Sequence, residues 1–329
     1  MDVAIGQSIL LFAVGLVALI LGGDWFVDGA TGIAHKFKMP EILIGATIVS
    51  IGTTLPEVMV SATAAVSGHS QISYGNAIGS IICNTALILA ITATFSPQLV
   101  KRSSLITPVI FFFAAAAFYA GIAYIQGRFT RVTGGILLIM FVIYMLMQNK
   151  SAKAGSGEVH DDSAEEEKTE EQKSFSVYVL LLILGAVLIA VGADLLVDHG
   201  TIIAGALGVP ESVIALTFVA LGTSLPELVT AVISLVKGHG ALSLGNVIGA
   251  NLFNLVLVSG VACLLTPFDV PSSKLVAGIN SSLVIDIPLM LAVMLIATVP
   301  TIIKGKISRW QGILLLCIYF GFCASQFVM

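Results

Sequence analysis

Charged residues are scarce in this chain of 329 residues: Lys, Arg, Asp and Glu make up 10% of it, against 57% hydrophobic residues. The mean hydropathy is +1.04. No water-soluble domain needs so much apolar surface, so the composition predicts an all-α polytopic protein of the lipid bilayer. The net charge of −4 is small and gives no basic surface for nucleic acid.

Motifs of enzymes and pumps are also lacking. The four cysteines lie in apolar runs without the spacing of a metal site or a disulfide framework. There is no HExxH, no GxSxG and no cofactor fingerprint, which argues against an enzyme and against a cofactor. The phosphate loop of ATP-driven pumps is missing, and no feature indicates an obligatory protein partner. The first ten residues carry no basic segment, so we expect a retained first helix and not a cleaved signal.

Long apolar runs occupy most of the remaining sequence. A helix needs about 20 apolar residues to cross a bilayer. Ten runs meet this length, at 4–27, 41–67, 71–95, 104–125, 131–148, 175–198, 210–236, 241–265, 275–299 and 308–328. The segment between the fifth and sixth is polar, acidic and free of aromatic residues, so it is typical of a flexible linker exposed to water.

Lysine and arginine are distributed unevenly among the loops. Of the 15 basic residues, all but Arg128, Arg131 and Lys274 lie in the loops after spans 1, 3, 5, 7 and 9. Cytoplasmic loops hold the excess of positive charge. The sequence therefore predicts a plasma-membrane protein with both termini outside and the acidic linker in the cytoplasm.

The two halves of the chain resemble each other. Residues 22–97 align without a gap to residues 192–267, and Gly, Pro, Asn, Asp and Glu positions coincide. Each half holds five spans, an odd number, so the copies cross the membrane in opposite directions. We expect a first repeat at 1–148 with its motifs in 41–97, a cytoplasmic linker at 149–174, and a second repeat at 175–329 with its motifs in 211–267. Inverted repeats are a device of secondary transporters, with the ion site near the midplane.

Each repeat places a proline and a carboxylate within a membrane-length apolar run, in GTTLPE at 52–57 and GTSLPE at 222–227. Glu57 and Glu227 lie about 13 Å or more from either end of their spans, at 1.5 Å per residue. A carboxylate at that depth costs several kcal/mol unless it is paired or faces a polar cavity, which makes a functional site the default interpretation. Pro56 and Pro226 each remove an amide hydrogen and so free a backbone carbonyl one turn earlier.

Oxygen ligands surround both carboxylates at helical spacing. Thr53 and Thr54 precede Glu57 by four and three residues, and Thr223 and Ser224 precede Glu227 in the same way. The following spans add Asn84 and Asn254 at equivalent positions, and Ser80 one turn before Asn84. Hard cations such as Ca²⁺ take six to eight oxygen ligands. Two carboxylates neutralise one Ca²⁺ or two Na⁺, which suggests that the two ions exclude each other. Asn76 and Asn246 are candidate ligands too, but hydrogen bonding between helices is at least as good an interpretation for them.

The paired motifs, GTTLPE with GNAIGSIICN and GTSLPE with GNVIGANLFN, resemble the two α-repeats of sodium/calcium exchangers of the calcium:cation antiporter superfamily. The resemblance covers essentially the whole chain and is closest to prokaryotic members without a large regulatory domain. It implies a Ca²⁺ site at Glu57 and Glu227. It implies a full set of ion ligands at Ser50, Thr53, Thr54, Glu57, Ser80, Asn84, Ala220, Thr223, Ser224, Glu227 and Asn254, with Ser50 and Ala220 acting through backbone carbonyls.

The resemblance also implies an activity: antiport of Na⁺ against Ca²⁺ by alternating access. Potassium-dependent relatives carry aspartate where this chain has Asn254, which favours a potassium-independent exchanger. Ala250 stands where relatives often have serine, so one hydroxyl ligand is missing. An exchanger of H⁺ for Ca²⁺ on the same fold remains the alternative, with the two glutamates taking up protons in place of sodium. The inverted repeat disfavours an ion channel.

Overall fold

The computed structural model describes residues 2–155, 174–207, 222–271, 275–276 and 278–328. The described residues form ten helices: α1 (Asp2–Lys36), α2 (Glu41–Val66), α3 (Ser70–Phe95), α4 (Arg102–Ile125), α5 (Arg131–Gly155), α6 (Phe175–Ala206), α7 (Leu225–Val236), α8 (Gly240–Leu265), α9 (Ser282–Lys304) and α10 (Arg309–Val328). Eight of them are long and apolar enough to cross a membrane, and α7 and α10 are shorter apolar helices. The ten predicted spans each coincide with one helix.

Several boundaries differ from those expected. Helices α1 and α6 continue to Lys36 and Ala206, beyond the predicted ends of spans 1 and 6 at residues 27 and 198. Helix α9 begins at Ser282 and not at the predicted residue 275, because Leu275–Val276 and Ile279–Asn280 are strands. Helix α5 continues to Gly155, seven residues beyond the predicted end of span 5, because the polar residues after Leu146 do not interrupt its backbone hydrogen bonds. The first half of predicted span 7, which includes Ala220, lies outside the described residues, as does most of the acidic linker.

Short strands connect some of the helix ends. Strand β1 (Arg128–Phe129) follows α4 and pairs antiparallel with β2 (Phe268–Asp269), which follows α8. Strands β3 (Leu275–Val276) and β4 (Ile279–Asn280) form a small ribbon before α9. At the opposite end of the molecule, a bridge between Leu99 and Lys306 ties the loop after α3 to the loop after α9. Pairing therefore joins the two halves at both ends of the helices.

We call the two ends of the helix bundle the Lys237 face and the Arg128 face. The Lys237 face holds the ends of α2 and α7 nearest to Glu41 and Lys237. The Arg128 face holds strands β1 and β2. Helices α2 and α7 each lead into the next helix through a turn whose glycine has a positive φ, 80° at Gly68 and 84° at Gly238. Equivalent turns thus lie at opposite faces, as an inverted repeat requires.

Helices α1 and α6 pack antiparallel through glycines spaced seven residues apart. A Cβ built on Gly15 would lie 2.9 Å from the carbonyl oxygen of Gly192, and one on Gly185 would lie 2.7 Å from that of Gly22. Gly15 is equivalent to Gly185 in the repeat, and Gly22 to Gly192. The contact is therefore symmetric, and only glycine permits the two backbones to approach so closely.

The buried apolar residues form two separate clusters. The larger one lies among α3, α4, α5, α8 and α9, with side chains such as Phe112, Tyr119 and Phe253. The smaller one joins α1 and α6 to α2 through Phe26, Ile44 and Ile189. The α1–α6 pair therefore has an apolar contact surface of its own, apart from the core of the other helices.

Candidate cation site

Glu57 and Glu227 lie at the centre of the molecule and are both 0% exposed. They are close enough for their charges to interact. The two motifs differ locally. Glu57 is within a helix that continues through Pro56, whereas Glu227 is in the first described turn of α7, with Pro226 just before it. A helix start favours a carboxylate because the backbone amides there are partly positive.

Six predicted ligands share one property: each has a buried side-chain oxygen without a hydrogen-bond partner among the described residues. They form three pairs related by the repeat, namely Thr54 with Ser224, Glu57 with Glu227, and Asn84 with Asn254. A buried polar atom without a partner costs about 1–3 kcal/mol, so such atoms are rare in native proteins and call for an explanation. Oxygen atoms arranged around two carboxylates fit the ligand preference of a hard cation.

The remaining predicted ligands take part in hydrogen bonds or lie close by. Thr53 donates to Oδ1 of Asn246 at 3.2 Å, and Thr223 donates to Oδ1 of Asn76 at 3.2 Å. A hydroxyl that donates in this way keeps its lone pairs, so both threonines can still ligate a cation. Thr53 and Thr54 also lie beside the Glu227 carboxylate without forming hydrogen bonds of normal geometry.

Ser50 and Ser80 are both buried near the two motifs. The Ser50 hydroxyl donates to the carbonyl oxygens of Gly45 and Asn246 at 2.7 and 2.9 Å. Its side chain is thus held by the backbone, and its ligation through a carbonyl stays a prediction. Ser80 lies on α3 one turn before Asn84. Ala220 lies outside the described residues, so its ligation also stays a prediction.

Asn76 and Asn246 connect the two repeats. Each accepts a hydrogen bond from the motif threonine of the other repeat, and the two contacts are related by the repeat symmetry. Asn76 also donates to the Glu57 carbonyl oxygen at 3.1 Å and to Ser61 Oγ at 2.9 Å. The interpretation of these residues as links between helices is therefore the one that fits. Their recurrence as GN in both repeats was the available signal.

Asn84 and Asn254 each begin a π-helical turn, at Asn84–Leu89 and Asn254–Val258. A third such turn, Gly45–Val49, precedes Ser50 in α2. A π turn inserts one extra residue and leaves the local carbonyls less regularly bonded, and it occurs frequently at functional sites. The turns in α3 and α8 lie where α3 packs against α7, which carries Glu227, and where α8 packs against α2, which carries Glu57.

Comparison with known proteins agrees with this geometry. A family model described as sodium/calcium exchanger protein matches residues 7–150 and 177–328. The chain belongs to the sodium/calcium exchanger family.

Relatives from the sodium/calcium exchanger family cover nearly the whole chain. The sodium/calcium exchanger MaX1 of Methanosarcina acetivorans is 30% identical, over 97% of this chain and 98% of its own. An uncharacterized membrane protein of Methanocaldococcus jannaschii is 37% identical, over 95% of this chain and 96% of its own. The solved structure of the sodium-calcium exchanger NCX_Mj, soaked in 10 mM Na⁺ without Ca²⁺, superposes with a TM-score of 0.78 at 34% identity, over 98% of this chain and 99% of that one. Two of these three relatives are sodium/calcium exchangers by name, and each match spans nearly the whole of both chains.

In this member of the sodium/calcium exchanger family, a cavity of about 620 Å³ reaches the site from one side. It lies between the α1–α6 pair and the two motifs, and its wall includes Thr53 and Thr223. Met59 and Asp198, which lie further along α2 and α6 toward the Arg128 face, also line it. The site is therefore reached from the Arg128 face.

The other side of the site is covered by α1, which an ion pair holds to α7. Nζ of Lys237 lies 2.6 Å from Oδ1 of both Asp24 and Asp28. Burial opposes protonation of Lys237, but its hydrogen bonds to the two aspartates outweigh burial and raise its pKa. The equivalent aspartates in the other repeat are Asp194 and Asp198, while the residue equivalent to Lys237 is Ser67. We call Lys237, Asp24 and Asp28 the Lys237 ion-pair cluster. Sequence reasoning missed it, because the sequence does not show which ends of α1 and α7 meet.

Proposed function

We propose that the chain exchanges Na⁺ for Ca²⁺ across a lipid bilayer by alternating access, without K⁺ and without a cofactor. The observation that carries this proposal is the set of three symmetric pairs of buried, unpartnered oxygen ligands around Glu57 and Glu227. Membership of the sodium/calcium exchanger family and the exchange activity named for the relatives support it.

The chemistry of these ligands favours hard cations. Every predicted side-chain ligand offers oxygen, and sulfur and imidazole ligands, which favour transition metals, are absent from the predicted set. The two carboxylates supply a formal charge of −2, which one Ca²⁺ or two Na⁺ neutralise. Binding of one kind of ion therefore excludes the other, which is the requirement for exchange.

We assign the transported ions to eleven ligand positions. They are Ser50, Thr53, Thr54, Glu57, Ser80, Asn84, Ala220, Thr223, Ser224, Glu227 and Asn254, with the two glutamates as the Ca²⁺ ligands. The neutral amide of Asn254 adds no third charge, which supports independence from K⁺.

Alternating access requires that one part of the molecule moves against another. The α1–α6 pair is the candidate for the moving part, since it packs on the remaining helices through its own apolar cluster. Coupling follows from electrostatics: two uncompensated carboxylates resist enclosure in a medium of low dielectric constant, whereas carboxylates neutralised by cations can be enclosed. Movement therefore occurs only with ions bound.

The distribution of basic residues assigns the Lys237 face to the cytoplasm and the Arg128 face to the outside. Both termini are then outside, and the linker at 149–174 is cytoplasmic between the repeats at 1–148 and 175–329. The cavity at the Arg128 face supports an outward-facing conformation. The proposal requires no obligatory protein partner.

Calcium uptake into proteoliposomes loaded with Na⁺ tests the activity. We expect uptake down an outward Na⁺ gradient, equal rates when choline replaces K⁺, and no uptake by the Glu57→Gln variant. Matched vesicles with a proton gradient in place of Na⁺ form the second arm. Uptake in that arm alone would assign the protein to H⁺/Ca²⁺ exchange, and calcium flux without any counter-gradient would indicate a channel.

A further inference from the structure

Three buried serine and threonine hydroxyls lie outside the predicted ligand set and have no hydrogen-bond partner among the described residues. They are Thr230 and Ser234 on α7 and Ser243 on α8, which are 0%, 0% and 2% exposed. A buried hydroxyl in a helix normally donates to a carbonyl three or four residues earlier. Thr298 and Thr92 do so here, to Met294 and Leu89. Thr230, Ser234 and Ser243 do not donate to a carbonyl of their own helix, so they need another hydrogen-bond partner. We call these three residues the hydroxyl line.

The hydroxyl line begins at the cation site. Thr230 and Ser234 follow Glu227 by three and seven residues, so all three share one face of α7. At 1.5 Å per residue, the two hydroxyl residues lie about 4.5 and 10.5 Å beyond Glu227 along the helix axis, toward the Lys237 face. Ser243 lies in the first turn of α8, which packs against α7 on the same side. The line thus extends from the carboxylates to the face opposite the cavity.

The other repeat lacks two of these three hydroxyls. Val60 and Ala64 occupy the positions equivalent to Thr230 and Ser234, whereas Ser73 is the equivalent of Ser243. The packing of the repeat therefore does not require hydroxyls at the positions of Thr230 and Ser234, and their presence in one copy needs a reason specific to the Lys237 face.

Helix α1 covers the neighbouring side of α7. A Cβ on Gly23 would lie 2.4 Å from Ile233 and 2.7 Å from Val229, and the Lys237 ion-pair cluster holds α1 at the same place. Displacement of α1 would uncover the side of α7 next to Thr230 and Ser234.

We propose that Thr230, Ser234 and Ser243 line the path by which Na⁺ and Ca²⁺ pass between the carboxylates and the Lys237 face, and that α1 closes this path in the present conformation. The proposal rests on the exchange activity proposed above. The hydroxyl oxygens bind the partly hydrated cation or its water molecules as the ion passes. The three hydroxyls then have the polar partners that they lack in the closed conformation.

Accessibility of an introduced thiol tests the path without relying on transport. Ser234→Cys in proteoliposomes is treated with a membrane-impermeant thiol reagent from one side, and the modified peptide is identified by mass spectrometry. Ser67→Cys and Lys306→Cys report modification at the Arg128 and Lys237 faces. Ala64→Cys is the matched control in the other repeat.

We expect Ser234→Cys to react only from the Lys237 face, and up to about fivefold faster when Lys237→Ala removes the ion pair. Ala64→Cys should not react from that face. A Ser234→Cys thiol that reacts no faster than the buried native Cys83 and Cys263 in both backgrounds would overturn the proposal.

A transport measurement gives a second, independent readout. Thr230→Val keeps the shape and removes the hydroxyl, and we expect calcium entry from the Lys237 face to fall about threefold or more, with the KM for calcium at the Arg128 face unchanged. Thr92→Val, at a buried threonine bonded to its own helix, is the control. Equal rates for Thr230→Val and the parent from both faces would count against the path. A parent without exchange would instead refute the proposed function, and the thiol measurement would still decide the path.

Discussion

The two faces of the molecule are built from equivalent segments but differ in what closes them. At the Lys237 face, a lysine joins α7 to two aspartates of α1, and a line of hydroxyls lies enclosed behind that contact. At the Arg128 face, serine replaces the lysine, valine and alanine replace two of the hydroxyls, and a cavity reaches the motif threonines. The three pairs of buried, unpartnered oxygens between the faces keep their symmetry. The centres of the two repeats are therefore alike while the faces differ, and under the proposed alternating access the differences at the faces make the two conformations unequal in energy.

Removing one carboxylate should have the largest effect, because it breaks the symmetry of the site itself. Glu57→Gln leaves a single carboxylate, whose charge of −1 does not neutralise Ca²⁺. We expect the free energy of calcium binding to weaken by about 3 kcal/mol or more, which lowers the calcium affinity over 100-fold. Isothermal titration of calcium into the purified protein measures it. Glu41→Gln, at a carboxylate near the Lys237 face that pairs with His239, is the control. Calcium binding by Glu57→Gln at parental affinity would refute the assignment of the site.

Replacing the two asparagines that link the repeats should have effects of intermediate size on stability. Asn246→Leu leaves the Thr53 hydroxyl without its acceptor in a fully buried position, which should cost about 1 kcal/mol of stability, while Ser50 keeps its backbone carbonyl partners. Asn76→Leu should cost more, about 1–3 kcal/mol, since it removes the contacts of Asn76 with the Glu57 carbonyl, Thr223 and the fully buried Ser61. Thermal unfolding in detergent ranks the two variants. Equal losses would contradict the difference in hydrogen bonding.

The Lys237 ion-pair cluster can be removed with a smaller effect. Its side chains are 24% to 47% exposed and its two pairs share one lysine, so the cluster as a whole contributes about 1 kcal/mol at most. Lys237→Ala should therefore shift the balance of the two conformations toward opening at the Lys237 face by up to about fivefold. The separation of spin labels on α1 and α7 measures this shift. An unchanged distribution of separations would show that the cluster does not bias the conformations.

The same cluster gives a pH expectation. The raised pKa of Lys237 means that its contribution is complete below the ordinary pKa of lysine and is lost only as the pH rises through the raised value. The label separation of the parent should therefore stay constant between about pH 6 and 9. A change in the label separation within that pH range would show that groups other than Lys237 hold α1 to α7.

The smallest effect is expected from adding a lysine at the face that lacks one. Ser67→Lys places a cation where it can pair with Asp194 and Asp198 once α6 closes over α2, which should favour closure at the Arg128 face by about twofold. Combined with Lys237→Ala, the preference of the two faces should reverse. Spin-label separations at both faces provide the measurement, and a double variant that keeps the parental preference would contradict the comparison.

Much of this architecture could be predicted, because the lengths of the apolar runs and the similarity of the two halves can be read directly from the sequence. Ten spans, the inverted repeat and the three symmetric ligand pairs all follow from these two signals. The π turns at Asn84 and Asn254 could not be predicted, since they depend on the packing of α3 and α8 against each other and leave no compositional mark. The Lys237 ion-pair cluster could not be predicted either, because Lys237 lies more than 200 positions from Asp24 and Asp28 along the chain and meets them only through the packing of α1 against α7.

The close glycine contacts between α1 and α6 have a consequence for leakage. Two rods in backbone contact at Gly15, Gly22, Gly185 and Gly192 have little freedom to bend apart, so they translate together. A displacement that uncovers one end then covers the other end by the same distance. Simultaneous opening at both ends would require α1 and α6 to separate, and the packing between them would then be lost. Under the proposed exchange by alternating access, this seam of four glycines acts as a mechanical interlock that keeps a sodium gradient from draining through the protein.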